Sequence, residues 1–129
     1  MGGLRVLVVD DHPINRLVMQ EILSQFGCVV SVAEDGTQAL SAIAVEGFDL
    51  VCLDRHMPGL SGDEVVVRLP AEQFVLAWST DTSDLPGRFN GILAKPIDLA
   101  AAQAALGRAM AWSLARARGV GSVATARLA

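Results

Sequence analysis

The stretch Leu4-Arg5-Val6-Leu7-Val8-Val9-Asp10-Asp11 decides the fold. Its short valine-rich run is typical of a strand that is buried on both faces, the kind found in parallel sheets. The run ends abruptly on two acidic residues. Because parallel sheets bind ligands at the carboxyl ends of their strands, Asp10 and Asp11 are candidate site residues.

Beyond this strand, helical and strand patterns alternate along the chain. Apolar residues spaced by three and four from Ile14 to Phe26, followed by Gly27, predict an amphipathic helix with a glycine stop. The alternation implies right-handed βαβ crossovers and a parallel sheet with helices on both faces. The predicted strands are residues 4–9, 28–33, 48–53, 74–78 and 91–94, and the later helices are expected around 39–43, at about 63–69 and after Asp98.

Length, composition and charge exclude several classes of protein. A chain of 129 residues is near the usual size of one domain, and 52% hydrophobic residues are too many for a disordered segment. The net charge of −4 gives no electrostatic footprint for nucleic acid. No apolar run has the length of a membrane span, and no secretion segment stands at the N-terminus, so a cytoplasmic location is expected. Cys28 and Cys52 fit that reducing compartment as small buried residues.

Polar residues follow the other predicted strands in the same way. Asp54 ends the third strand, Ser79 the fourth and Lys95 the fifth. Three carboxylates at one edge repel one another, and either protonation or a bound cation relieves that repulsion. Oxygen ligands alone suit Mg²⁺, with Mn²⁺ as the alternative. A lysine and a hydroxyl beside them can surround a tetrahedral anion, and an aspartate in that setting can act as the nucleophile of phosphoryl transfer.

At this point the sequence resembles the receiver domain of two-component response regulators. The resemblance runs from Val6 to about Ala109 and is strong because four fragments occur in order at the correct strand ends. The fragments are Val8-Val9-Asp10-Asp11, then Leu53-Asp54-Arg55-His56-Met57-Pro58-Gly59-Leu60-Ser61-Gly62, then Ala77-Trp78-Ser79-Thr80, then Lys95-Pro96.

The resemblance implies both a fold and a function. The fold is a flavodoxin-like, doubly wound, five-stranded parallel sheet in the order 2-1-3-4-5. The function is that of a phosphorylation-switched signalling receiver, which takes a phosphoryl group from a phosphohistidine with Mg²⁺. Such a domain is not an enzyme in its own right, although it assists its own phosphotransfer and dephosphorylation. The donor would be a histidine kinase or a histidine phosphotransfer domain. Residues 4–118 would form the receiver domain, and residues 119–129 a C-terminal tail or linker.

The family's site residues carry over to matching positions. Asp54 corresponds to the phosphoacceptor. Asp11 and Asp54 would bind the magnesium ion directly, Asp10 would bind it through water, and the backbone carbonyl of His56 would complete the protein ligands. Lys95 would pair with the phosphoryl group. Ser79 stands where the family has its switch hydroxyl, and Pro96 stands where the family often has a preceding cis peptide bond.

The chain departs from the family pattern in two places. Ile92 occupies the position at which many members carry a switch aromatic residue, so a rotating ring is not available there. Only eleven residues, 80–90, separate Ser79 from the fifth strand, and they contain Pro86-Gly87 and little apolar periodicity. The fourth helix is therefore predicted to be missing or reduced to a turn.

Simpler interpretations stand beside this one. Asp10 and Asp11 could be helix caps, and Ser79 could cap a turn. His12 and His56 invite a transition-metal site, but His12 is expected beside solvent at a helix start. Trp78 and Trp112 are interpreted as packing residues.

Two other functions remain open, and so does the context of the domain. A magnesium-dependent phosphatase of the haloacid dehalogenase type uses a similar residue set, although Asp10-Asp11-His12 lacks its Asp-x-Asp spacing. A receiver-like binding module that is never phosphorylated is the third hypothesis. No output domain is visible in the chain, so it is either a stand-alone receiver or the receiver of a hybrid histidine kinase. The segment Asp11-His12-Pro13-Ile14-Asn15-Arg16 resembles the receivers of hybrid kinases and favours that context.

Overall fold

A computed structural model describes residues 3–117 and contains a five-stranded parallel sheet. The strand order is β2-β1-β3-β4-β5, which confirms the predicted doubly wound fold. The predicted C-terminal tail, residues 119–129, lies outside the described residues. The strands are β1 (Arg5–Val9), β2 (Val29–Ala33), β3 (Leu50–Asp54), β4 (Val75–Ser79) and β5 (Ile92–Ala94).

The register of the strands brings the polar residues to one edge of the sheet. Every residue of the central strands β3 and β4 is buried, as the unbroken apolar runs predict. Val9 of β1 lies opposite Leu53 of β3, and Asp54 lies opposite Trp78 of β4. The residues that end or directly follow these strands therefore meet at the same carboxyl edge.

Helices cover both faces of the sheet. On one face, Met19, Leu23 and Leu106 pack against the sheet, and on the other face Ala39 and Val65 do so. The second and last helices begin with side-chain capping bonds, because Asp35 accepts the Gln38 amide and Asp98 accepts the Ala101 amide. The helices are α1 (Pro13–Gln25), α2 (Gly36–Val45), α3 (Gly62–Val66) and α4 (Leu99–Ala117).

The segment between β4 and β5 contains no helix, and this confirms the prediction that the fourth helix of the family pattern is missing. Residues 80–91, all of them described, form bends and turns. Phe89 is buried in the core on the side of α2 and α3, and Leu85 packs against the same cluster. Two apolar anchors thus hold a segment whose Pro86-Gly87 pair interrupts helical structure.

One helix is shorter than predicted. The sequence predicts a helix to about residue 69, but α3 ends at Val66. The next amides form tighter bonds, from Arg68 to the Val65 carbonyl and from Leu69 to the Val66 carbonyl. Pro70 explains why the helix does not continue, since it has no N–H to donate to the Val66 carbonyl and disfavours helical geometry at Leu69.

Candidate functional site

Three carboxylates meet at the carboxyl edge of the sheet. One oxygen from each of Asp10, Asp11 and Asp54 lies within 4.8 Å of the other two. Asp10 and Asp11 directly follow β1, whereas Asp54 is the last residue of β3. The helix α1 has His12 at its N-cap, so Asp10 and Asp11 are not the capping residues. The structure therefore brings together the three acids that the sequence singled out.

Asp10 is fully buried and its carboxylate is held by three donors. Oδ1 accepts the His12 amide at 2.9 Å, and Oδ2 accepts both Lys95 Nζ at 2.7 Å and the Trp78 indole N–H at 3.0 Å. Burial opposes ionisation, but the bonds from Lys95 and His12 outweigh it and lower the pKa of Asp10. Asp10 is therefore ionised and fixed by the protein itself.

The negative charge of the Asp54 carboxylate is less well balanced by neighbouring donors than that of Asp10. Its Oδ1 accepts the His56 amide at 3.2 Å, and its Oδ2 lies 3.5 Å from Lys95 Nζ. Burial raises the pKa of Asp54 to about 6; the charge of Lys95 opposes this shift, and the charge of Asp10 adds to it. The carboxylate of Asp54 thus carries an electrostatic cost that an added positive charge would relieve.

Asp11 provides the clearest sign that a cation fits here. Its Oδ1 is a buried atom that has no hydrogen-bond partner among the described residues. A buried unpaired carboxylate oxygen is costly, and a bound cation removes that cost. The donors of the cluster are all carboxylate oxygens, which suits Mg²⁺. Asp11 and Asp54 are the acids whose oxygens are available to bind a cation, since the carboxylate of Asp10 already accepts from three donors.

Ser79, Lys95 and His56 surround this cluster. Ser79 is buried, and its hydroxyl oxygen accepts the Asp81 amide at 3.0 Å, so it closes the turn after β4. Lys95 follows β5, and its peptide bond to Pro96 is cis. A cleft of about 260 Å³ opens above Asp54 and is also lined by His12, Asn15, His56, Ser79, Thr80 and Lys95.

Arg55 is a site residue that the sequence analysis did not single out. Its side chain is only 5% exposed and forms a two-bond pair with Asp63, with both distances 3.1 Å. Bonds from Asp63 outweigh the effect of burial and raise the pKa of the guanidinium. The same group donates to the backbone carbonyls of Asp81, Ser83 and Asp84. Arg55 thereby ties the residue after Asp54 to the loop that stands in place of a helix.

Asp81 was likewise not singled out. Its carboxylate accepts the Ser83 hydroxyl and lies 2.9 Å from His56 Nε2. The bonds from Ser83, then those from His56, lower the pKa of Asp81. The only signal in the sequence was position, because Asp81 follows Ser79 by two residues and Arg55 follows Asp54 directly.

Comparison with known proteins identifies the family. Residues 6–106 match the family model described as the response regulator receiver domain. The match covers more than half of the chain, and the chain belongs to this family. The sensor protein GacS of Pseudomonas syringae pv. syringae is 39% identical over 84 residues, which make up 64% of this chain. The chain spans only 9% of the length of that relative.

Solved structures show the same fold. The response regulator TrrA of Thermotoga maritima, in complex with Mg²⁺ and beryllofluoride, is 28% identical, with a TM-score of 0.78. The alignment covers 82% of this chain and 98% of that one. The receiver domain of a sensor histidine kinase of Pseudomonas aeruginosa PAO1, which has a magnesium ion in its active-site cleft, is 26% identical with a TM-score of 0.75. That alignment covers 85% of this chain and 99% of the other.

Within residues 3–117, no helix combines the length and the apolar character that crossing a membrane requires.

Proposed function

We propose that this receiver domain accepts a phosphoryl group on Asp54 from a phosphohistidine, with a divalent cation held by Asp11 and Asp54. The observation that carries the proposal is the cluster of Asp10, Asp11 and Asp54, with a buried oxygen of Asp11 left unpaired. Lys95 adds the positive charge that a transferred phosphoryl group needs, because it lies 3.5 Å from Asp54. Mg²⁺ is the cation that we assign to the site, on the grounds of its oxygen donors.

The transfer itself is a simple exchange of bonds. A carboxylate oxygen of Asp54 forms a bond to phosphorus as the P–N bond of the phosphohistidine breaks. The imidazole leaves with the electron pair of that bond and takes up a proton. The product on this chain is an acyl phosphate at Asp54. When bound, the cation supplies positive charge that neutralises the crowded carboxylates and the phosphoryl oxygens.

The chain's own residues orient the reacting group. The His56 amide holds Asp54 Oδ1, which fixes the carboxylate at the floor of the cleft. Lys95 Nζ stands between Asp10 and Asp54, so that a charged oxygen on Asp54 attracts it. The buried carboxylate of Asp10 keeps that ammonium group at the site until a phosphoryl group arrives.

Ser79 is proposed as the switch hydroxyl. Its oxygen accepts the Asp81 amide, and the hydroxyl proton is therefore available to donate towards a phosphoryl oxygen in the cleft. A phosphoryl group brings up to about two negative charges, enough to reposition a hydroxyl and a lysine. Since Ile92 provides no rotating aromatic ring, we propose that the change reaches the surface through the turn at Asp81.

The partner is proposed to be a histidine kinase or a histidine phosphotransfer domain that docks on α1. Ile14, Leu17 and Val18 are 68%, 61% and 45% exposed, an apolar group at the start of the first helix. Val18 also lines a hollow of about 300 Å³, and Lys95 lines both this hollow and the cleft above Asp54. A partner seated on this surface would place a histidine side chain at Asp54.

The proposal extends to the context of the domain. Residues 4–118 form the receiver unit in this proposal, and its location is the cytoplasm. Hybrid histidine kinases are the proposed source of such a domain, since the relative GacS is named a sensor protein and is about ten times longer than the aligned segment.

The experiment is a labelled phosphotransfer with a matched pair of variants. Wild-type protein, Asp54→Asn and Asp84→Asn are each incubated with Mg²⁺ and a ³²P-labelled histidine phosphotransfer domain. We expect label on the wild type and on Asp84→Asn, whose altered side chain is exposed, and none on Asp54→Asn. Equal labelling of all three would remove Asp54 from its role. Sustained hydrolysis of a phosphate monoester would indicate the phosphatase, and an absence of any label would indicate the unphosphorylated binding module.

A further inference from the structure

Trp78 reaches into the carboxylate cluster although it is a residue of the sheet. Its side chain is only 2% exposed and belongs to the core that contains Val8 and Cys52. Asp10 and Asp54 follow those two residues by two positions, so they emerge on the same face of the sheet. The packing role that the sequence suggests is confirmed, but it describes only part of what this residue does.

The edge of the indole ring contacts a charged group. Its N–H donates to Asp10 Oδ2 at 3.0 Å, and that oxygen also accepts Lys95 Nζ at 2.7 Å. The Lys95 ammonium lies 5.1 Å from the centre of the Trp78 ring, within the range of a cation–π contact. Asp10, Trp78 and Lys95 therefore form a closed set of three mutual contacts.

These contacts matter because two carboxylates of the site compete for one lysine. Lys95 is shared by two carboxylates, at 2.7 Å from Asp10 and 3.5 Å from Asp54. A phosphoryl group on Asp54 adds negative charge and draws Lys95 towards it. Asp10 is 0% exposed while Lys95 is in place, and when the ammonium departs the indole N–H is the side-chain donor that remains on Asp10 Oδ2. A buried carboxylate oxygen that loses its partner bears a large penalty.

We infer that Trp78 is a positioning residue of the phosphoacceptor site. Its indole N–H holds the Asp10 carboxylate in place while Lys95 moves between Asp10 and the phosphoryl group on Asp54. The ring is fixed in β4 by core packing, so its N–H does not follow Lys95. This inference rests on the proposed function, because it concerns the state that phosphorylation creates.

Trp112 provides a matched control within the same chain. Its indole N–H also donates to an oxygen, the Glu72 carbonyl, at 2.7 Å. Its ring packs against Phe74, which precedes β4 and so lies at the opposite edge of the sheet from the carboxylates. The sequence contains two tryptophans, Trp78 and Trp112, so a change of indole chemistry can be compared at these two positions.

The first experiment removes the N–H and keeps the ring. Benzothienylalanine, which has sulfur in place of the indole N–H, is incorporated at position 78 in one protein and at position 112 in another. A small phosphoramidate serves as the donor with Mg²⁺. We expect the maximal rate constant of phosphorylation to fall about 10-fold at position 78, as befits a lost hydrogen bond to a charged group, with the half-saturating donor concentration unchanged. We expect no fall at position 112.

The second experiment requires no phosphoryl transfer. The indole ¹⁵N–H signals of the wild-type protein are followed by NMR before and after addition of Mg²⁺ and beryllofluoride, and the Trp112→Phe variant assigns them. We expect the Trp78 N–H to stay protected from exchange with water in both states. An exchange rate that rises to that of a free indole when the additives bind would overturn the inference.

The outcomes separate the two claims. If the wild-type protein is not labelled, the proposed function fails and the inference fails with it. If the wild type is labelled and the position-78 protein reacts at the same rate, the inference alone fails. A slower reaction at position 78 together with a protected Trp78 N–H supports both.

Discussion

Arg55 is hydrogen-bonded to Ser83 at the carboxyl edge of the sheet, where its Nη1 donates to the Ser83 carbonyl oxygen at 2.6 Å. The two residues belong to segments that are 28 positions apart, the loop after β3 and the loop between β4 and β5. The same guanidinium pairs with Asp63 at the start of α3. One buried side chain thus joins the acceptor strand, the third helix and the segment that stands in place of a helix.

Replacement of Arg55 with methionine is expected to loosen that segment. The variant removes both bonds to Asp63 and the donor of three backbone carbonyls, and because the 34% exposed Asp63 can be hydrated, we expect a loss of about 1–3 kcal/mol of unfolding free energy. Urea unfolding measures this cost, and amide hydrogen exchange should quicken over residues 80–91. Arg68→Met, at an exposed position, is the control. Unchanged exchange in the loop of the Arg55 variant would contradict the role assigned to Arg55.

Asp54→Asn is expected to stabilise the metal-free protein at neutral pH. The folded-state pKa of about 6 lies above the ordinary value of 3.8 for an aspartate, so the ionised carboxylate opposes folding increasingly from about pH 4 and fully above pH 6, with no such effect below about pH 4. The stabilisation should reach at most about 3 kcal/mol at pH 7.5 and should disappear as the pH falls towards 4. Mg²⁺ should also reduce it. Urea midpoints at the two pH values, with and without Mg²⁺, test the sign, and a gain that is larger in acid would refute it.

Gly62→Ala is expected to disrupt the acceptor loop. A Cβ atom at this position would lie 2.0 Å from the Asp54 carbonyl oxygen, and the backbone there is fixed because the Gly62 amide donates to the Arg55 carbonyl. Overpacking of this kind costs about 1–3 kcal/mol, and phosphorylation should fall with it. Thermal unfolding compares the variant with Gly47→Ala, where a Cβ meets nothing within 4 Å. Equal melting temperatures for the two variants would show that the close approach does not constrain the loop.

Leu17→Asp is expected to weaken docking without harming the site chemistry. Leu17 lies on the exposed face of α1, 61% accessible, and a charge there opposes contact with an apolar partner surface. Transfer from a phosphorylated histidine domain should slow at least about 10-fold, because a few kcal/mol of interface energy are lost. The rate with a small phosphoramidate should be unchanged. A loss with both donors would mean that the substitution damages the fold or the cleft.

Much of this architecture could be predicted from the sequence. The apolar run before Asp10 and the run before Asp54 fix two buried strands, and parallel pairing then brings their ends together. The lack of a helix between β4 and β5 could also be predicted, because Pro86-Gly87 interrupts this short segment and leaves too few apolar residues at helical spacing.

The features that could not be predicted are side-chain contacts between residues that are far apart in the sequence. The bond from Trp78 to Asp10 joins residues 68 positions apart, and no local pattern distinguishes a tryptophan that only packs from one that also donates to a carboxylate. Arg55 is similar, since a loop arginine is usually solvated, and its burial follows from three carbonyls that only the folded β4–β5 segment supplies. The end of α3 at Val66 depends on competition between tight turns and helical bonds before Pro70.

The most direct test of the account is to locate the phosphoryl group. Wild-type protein is treated with a small phosphoramidate, with Mg²⁺ in one sample and with a chelator in the other, and the acyl phosphate is reduced with borohydride and mapped by peptide mass spectrometry. The account predicts that the reduced residue is Asp54 and that the modification depends on the cation. Modification at another residue, or equal modification of Asp54 in the presence of the chelator, would contradict it.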